Sequence, residues 1–520
     1  MPTLARLATL FLLLVFGTPC RTQAVGLTPL PPITGAPLGV NLSWWTSFSP
    51  EWVFVDAWRG ASEWVSQRPV GGPWDTGEPI ALDSHGYPTW LNANQVVAAV
   101  MYKGLDGRFP GGRYVVLWDG DGDVEVKEDA SMVSRNGNRI EADVTPGDGV
   151  VLRILRTNPS DPVRNIRVIL PGFESTYQTQ PFHPRFLANW RGFRMLRFMD
   201  WMRTNGSLQA QWADRPTLDD CGQASDKGVA LELMIALCNQ MHADPWFCLP
   251  HLASDDYVRQ FARKVSQLLE PGRKVILEYS NECWNGGFEQ ARYCQREGVR
   301  LQLSNDPFEA QLRFYSQHAV ELFRIARQEL AGTHEVVRVL SAQNVTPWVA
   351  TTMADWRSAF QELDAVAVAP YFGYELGDPS RQWEVSQWSV DQVLAECWND
   401  LGPTLRGTRN TVAAMRQRGL EVLGYEGGQH LVGFGGAENN TQLTSLFIAA
   451  NRDPRMFLLY MAFLDGWTAA GGGAMAAYYS TGRPGRYGSW GALEWAEQDP
   501  YTAPKYLALR LWVDGARFGR

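Results

Sequence analysis

Basic clusters are missing from this chain. Its 47 Lys and Arg are outnumbered by 55 Asp and Glu, a formal charge of −8 over 520 residues. Without a positive stripe nothing neutralises a phosphate backbone, so nucleic acid is not an expected partner. Long apolar runs are missing too: beyond the first 24 residues no stretch reaches the ~18 consecutive apolar residues that span a bilayer, so no membrane span is expected. Cysteine is sparse, seven in all, and forms no paired CxxC sets, so no structural zinc and no other metal or cofactor is expected. Glycine and proline, 49 and 31, fall short of a low-complexity or collagen-like chain. What the chain has in quantity is tryptophan. Twenty-two of them supply flat apolar faces with a polar edge, useful where a surface must hold something.

The first residues combine a basic Arg6, an apolar run from Leu7 to Phe16 and small residues at Thr22 and Ala24. This pattern predicts an export signal over 1–24, hence a secreted protein, or a periplasmic one in a Gram-negative host. Pro19 before Cys20 argues against lipidation. The six remaining cysteines, Cys221, Cys238, Cys248, Cys283, Cys294 and Cys397, are an even count in an oxidising compartment and predict disulfides, although the count cannot choose among 15 pairings. The mature chain is expected to act as a monomer.

From Arg194 onward short apolar runs alternate with long amphipathic ones, the pattern of βα units around a parallel sheet. Strands are expected at 195–201, 245–251, 274–282, 336–344, 364–372, 421–428 and 473–479, with helices between them, as at 228–243, 255–270 and 308–332, and a last helix over 502–512. An eighth strand is needed to close a barrel, and 37–44 supplies it. The fold class is therefore α/β, a (β/α)8 barrel formed by 25–71 and 172–520.

The interval 72–171 differs. Its period-two runs (YVVLW, DVEVKE, RIEADV, VVLRIL, NIRVIL) and turn dipeptides predict an all-β module inserted after the first strand. Within it Asp119-Gly120-Asp121-Gly122-Asp123 resembles a calcium loop only superficially. Val124 stands where the glycine of such a loop belongs and Ala130 where its bidentate Glu belongs, so a hairpin turn is expected instead.

Two segments carry chemistry. Glu282, in VILEYSNECWN, ends the expected fourth strand; Glu426, in VLGYEGGQH, ends the seventh and is followed by two glycines that permit close approach. Strand ends and their loops form the open face of such barrels. Two acids there suit glycoside hydrolysis, one protonating the leaving oxygen and the other attacking the anomeric carbon, provided their surroundings keep one protonated and the other ionised.

The SNE of a fourth strand with a Glu ending the seventh resembles glycoside hydrolase clan A, retaining (β/α)8 enzymes that include cellulases and mannanases. The resemblance covers about 37–45 and 190–515 and excludes the β module. It implies Glu282 as acid/base and Glu426 as nucleophile, Asn281 on a sugar hydroxyl and Arg197 supporting the nucleophile. It further implies Tyr371 near the nucleophile, His251 as a polar residue ending the third strand, and Trp490 as the aromatic floor of the sugar site. Trp284 joins these as one of several aromatics in the strand-end loops, which also hold Trp44, Trp45, Trp201, Trp212, Trp348, Phe372 and Tyr374 and suit the C–H faces of a polysaccharide or oligosaccharide. The competing expectation is a carbohydrate-binding or adhesion protein on the same scaffold, without turnover.

Overall fold

A computed structural model describes residues 35–518; the apolar segment 1–24 lies outside them. Eight parallel strands close into a barrel: β1 (Leu38–Asn41), β2 (Met195–Arg197), β3 (Asp244–Leu249), β4 (Val275–Tyr279), β5 (Val336–Ala342), β6 (Ala365–Val368), β7 (Glu421–Gly424) and β8 (Met475–Ala477), with β8 pairing back to β1. All eight fall within the expected stretches or begin one residue before them, and most are shorter, because the chain leaves the ladder before the loops of the open face begin.

The alternation of each strand decides what lies inside the barrel. On β4, Val275, Leu277 and Tyr279 pack outward with the helices, while Ile276 joins Met195, Trp246, Cys248, Val339, Leu423 and Tyr425 in the interior. The same alternation turns Asn41, Arg197 and Glu278 inward. Room inside is short on the β1 side: a Cβ on Gly39 would sit 2.1 Å from Met195 Cγ, so only glycine lets β1 and β2 close up.

The inserted module is a sandwich of two four-stranded antiparallel sheets. One pairs Val65–Gln67, Val96–Met101, Val150–Thr157 and Gly122–Glu128; the other pairs Arg164–Ile169, Gly112–Asp119, Arg139–Val144 and Ala130–Asn136. Its own core includes Met101, Tyr114, Trp118, Val126, Ile140, Leu152 and Val168. The strand Val65–Gln67 belongs to it although it lies upstream of residue 72. The turn at Gly120 and Asp121 is not a hairpin, contrary to expectation: the flanking strands belong to different sheets, so these residues carry the chain across the sandwich. A Cβ on Gly120 would lie 2.1 Å from the Pro162 carbonyl oxygen, which explains a glycine at this crossing. Buried Asp56 clasps entry to exit, accepting from the Trp58 N–H at 3.1 Å and the Val168 N–H at 2.8 Å.

The expected disulfides do not form. All six described cysteines are free thiols, and five are fully buried, packed as small apolar side chains rather than held as cross-links, with the Cys283 and Cys294 thiols within hydrogen-bond reach of each other. Among the described residues no helix is long and apolar enough to cross a membrane, and no cluster of three or more His, Cys, Asp or Glu could hold a metal ion.

Candidate active site

A cleft of about 820 Å³ opens over the C-terminal ends of the barrel strands, lined by Glu282, Trp284, Tyr371, Glu426, Tyr478 and Trp490 among others. At its base lies Arg197, which is fully buried. Its Nη2 donates to Glu278 Oε2 at 2.9 Å and to Asn281 Oδ1 at 2.8 Å; its Nη1 donates to Asn41 Oδ1 at 2.9 Å and to Glu426 Oε1 at 3.1 Å. Strand register brings these groups together: Asn41 pairs with Arg197 across β1 and β2. One guanidinium thus compensates two buried carboxylates and orients two amides, the planar fork that lysine lacks.

Glu426 accepts a second hydrogen bond, 2.9 Å, from the Tyr371 hydroxyl. A short parallel pairing of Tyr371–Phe372 with Gly428–Gln429 above the barrel holds that tyrosine beside the acid. Gly428 is required there, since φ is +136° and a Cβ would lie 2.5 Å from the Tyr460 hydroxyl. Glu282 has different neighbours. Asn285 Nδ2 donates to its Oε2 at 2.8 Å, and the Tyr425 hydroxyl donates to Oε1. Ser280 and Glu282 both take left-handed backbone, φ 55° and 45°, a strain of about 1–3 kcal/mol each. Asn281 Nδ2, bonded to Asn205 Oδ1 at 3.0 Å, and Gln290, which reaches the Asn281 carbonyl at 2.7 Å, hold the segment in place.

Burial raises the proton affinity of both acids. For Glu426 the Arg197 charge and the Tyr371 hydrogen bond oppose that rise, while the charges of Glu282 and Asp200 add to it. The charge of Glu282 therefore disfavours ionisation of Glu426. The guanidinium touches Glu426 directly, whereas Glu282 is held by neutral donors. Burial nevertheless pushes Glu426 up to about 8.

Of the residues singled out in the sequence, Glu282, Trp284, Tyr371, Glu426 and Trp490 line the cleft, and Arg197 and Asn281 lie immediately beneath. Trp490 stands 5.8 Å from the Tyr371 ring and 5.1 Å from His430. His251 is not brought to the pair. It packs 5.3 Å from the Tyr293 ring outside the cleft lining, its carbonyl accepts from the Tyr279 hydroxyl, and burial lowers its pKa to about 4.

Sequence reading missed Glu278, Tyr425, Tyr478, Asn41 and Asn285. Tyr478, just beyond β8, lines the cleft; the aromatic pair Tyr478-Tyr479 at the end of the expected strand 473–479 is its only signal in the sequence. Glu278 was signalled by an acid within an otherwise apolar strand. Of the four Asn-X-Ser/Thr sequons (X not Pro), at Asn41, Asn205, Asn344 and Asn439, Asn41 and Asn344 are buried and closed to glycan attachment.

Replacing Tyr371 by Phe removes one donor from the Glu426 carboxylate. Turnover is expected to fall roughly ten- to hundredfold, the worth of a hydrogen bond to a charged group. The acidic limb of the rate profile should move up in pH, since that bond lowers the pKa of Glu426. Steady-state kinetics from pH 4 to 9 check both.

No family model matches the sequence, and no curated protein sequence matches it. Solved structures share the fold distantly. A GH51 arabinofuranosidase from Xanthomonas axonopodis pv. citri is 12% identical over 58% of this chain and 61% of its own, with a TM-score of 0.38. A 4-O-α-L-rhamnosyl-β-D-glucuronidase from Fusarium oxysporum 12S is 11% identical over 64% and 62%, TM-score 0.39. An endo-β-1,4-mannanase from Thermotoga petrophila is 12% identical over 64% and 73%, TM-score 0.34. The first of these are matched over only about three-fifths of their length. Nothing about activity follows at such values.

Proposed function

We propose that this protein is a retaining glycoside hydrolase acting on the O-glycosidic bonds of a polysaccharide or oligosaccharide. The observation that carries the reading is the unequal provision for two buried acids at one cleft. Glu426 has a guanidinium and a phenol directed at it, as a nucleophile that must stay ionised requires. Glu282 is hydrogen-bonded only by neutral groups, Tyr425 and Asn285, and burial raises its pKa, as an acid that must hold a proton requires. In the first step Glu426 Oε attacks the anomeric carbon while the Glu282 proton passes to the departing glycosidic oxygen. In the second, Glu282, now a carboxylate, takes a proton from water, and the resulting hydroxide displaces Glu426. Asn281, held by Arg197 and Asn205, steadies the segment that presents Glu282; Tyr478, Trp490 and Trp284 offer the sugar apolar faces. The 1–24 segment supports export.

The rate profile should be bell-shaped, its acidic limb set by ionisation of Glu426 and its alkaline limb by loss of the Glu282 proton. Because burial raises both, the optimum should lie nearer neutrality than the ordinary carboxylate range. Reducing ends released from a polysaccharide panel test the activity. Variants Glu282→Ala and Glu426→Ala should lose turnover and keep sugar binding; binding with no turnover by the wild type on any polymer would leave an adhesion protein instead.

A further inference from the structure

A buried lysine stands behind one wall of the cleft. Of the described lysines only Lys505 is buried. It is the second residue of the helix Pro504–Phe518, so its ammonium sits at the end of the helix whose dipole disfavours a cation. Among the described residues no carboxylate forms an ion pair with it, and Glu494, whose charge reaches it, is bound by Arg452 at 2.7 Å. Burial pushes its pKa down to about 7. A methionine of similar length would fill this place without desolvating a charge.

What the lysine gains is one acceptor. Its Nζ donates to the Ser489 carbonyl oxygen, which also accepts from Gln429 Nε2 at 3.0 Å. The next residue is Trp490, which lines the cleft. Its carbonyl accepts from the Tyr479 N–H at 3.3 Å, and its indole N–H donates to the Tyr487 carbonyl at 2.6 Å. Gly488 makes room for the ring, since a Cβ there would run into the indole. With its one donor spent inside the loop, Trp490 has only apolar surface to offer the cleft, beside Tyr371 at 5.8 Å and Tyr478 at 5.5 Å. Gln429 ties the same carbonyl to the acids: it pairs with Phe372 in the short strand that carries Tyr371, and Tyr371 donates to Glu426. Two donors on Ser489 thus fix Trp490 relative to Glu426.

We propose that Lys505 is a positioning residue that holds Trp490 in place as a wall of the sugar site. The contact of Trp490 with sugar rests on the glycosidase reading above; its anchoring by Lys505 does not.

The test is a double-mutant cycle on the polymer that is cut: wild type, Lys505→Met, Trp490→Ala and both together, with Lys505→Gln replacing the first should it not fold. A ring that packs on the sugar equally before and during reaction acts on KM alone. Trp490→Ala should raise KM about tenfold, the scale of one aromatic contact. Lys505→Met should raise it about three- to tenfold with kcat within about twofold of wild type. The double variant should be no worse than Trp490→Ala, because the lysine acts through the ring. The unfolding temperature of Lys505→Met should match or exceed that of wild type, since a buried cation is removed. The indole N–H resonance of Trp490, assigned by its loss in Trp490→Phe, should shift in Lys505→Met.

KM increases that multiply in the double variant overturn the proposal, as does a wild-type KM with an unmoved resonance. A merely structural Lys505 would give a lower unfolding temperature with KM unchanged, which also overturns it. If the wild type cuts no polymer, the glycosidase reading fails and the resonance decides alone: a shift sustains the anchoring of Trp490, and no shift overturns it.

Discussion

Glu426→Gln should reduce turnover by a factor on the order of 10⁴ or more while leaving the barrel folded and able to bind sugar. The glutamine keeps the shape of the carboxylate; its oxygen can accept from Arg197 while its amide nitrogen donates to the Tyr371 hydroxyl, which accepts instead of donating, so the cleft keeps its form. It cannot form the covalent bond to the anomeric carbon, and loss of a nucleophile is among the largest single losses an active site shows. Stability should not fall with it, because the wild type holds a carboxylate that burial disfavours and the amide relieves that cost. Glu282→Gln should differ in kind. It removes the proton donor, so its defect should shrink on substrates whose leaving group departs without protonation, such as nitrophenyl glycosides, whereas the Glu426 defect should persist on every substrate. Steady-state rates on both substrate types, with thermal unfolding alongside, separate the two roles.

Arg197→Met should be the most destabilising single change at the site, about 3–5 kcal/mol, because it leaves a buried charge uncompensated. Glu278 is fully buried; without the arginine its remaining donors are the Trp246 indole at 3.0 Å and the Cys248 thiol at 3.5 Å. Glu426 would lose its cation at the same time, and its pKa would rise further. What activity remained would have its acidic limb displaced to higher pH. Removing both members of the inner pair, Arg197→Met with Glu278→Leu, should recover much of the stability, since an apolar pair of similar volume replaces two desolvated charges. Activity should stay lost, because Asn281 and Glu426 would still lack the guanidinium that orients them. Denaturant unfolding of the two single variants and the double variant measures the coupling.

The barrel was legible because each strand is a short apolar run between amphipathic helices, a pattern that survives without knowledge of the partners. Glu282 and Glu426 were legible because strand ends in this fold share one face, and Arg197, Asn281 and Tyr371 only through the resemblance to clan A. That rule fixes how far along the barrel axis a residue lies and not which way its side chain turns. His251 lies two residues beyond the end of β3, yet its ring faces Tyr293 and not the acids. Glu278 was hidden for the complementary reason: an acid inside an apolar strand is recognisable as interior-facing only once the neighbouring strands define an interior. The free thiols make the same point, since an even count of cysteines carries no information on which of them are neighbours. The crossing at Gly120 and Asp121 has the residues of a hairpin turn, and only the pairing of the flanking strands distinguishes the two.

The most direct test is the configuration of the first product. Enzyme is added to the polysaccharide it cuts and the anomeric protons are followed by NMR from the first minute, before mutarotation equilibrates the sugar. Double displacement through Glu426 predicts that the anomer of the substrate appears first and its opposite only later. The opposite anomer appearing first would mean a single displacement by water, with Glu426 acting as a base and never bonded to the sugar, and would contradict the roles assigned here to both acids.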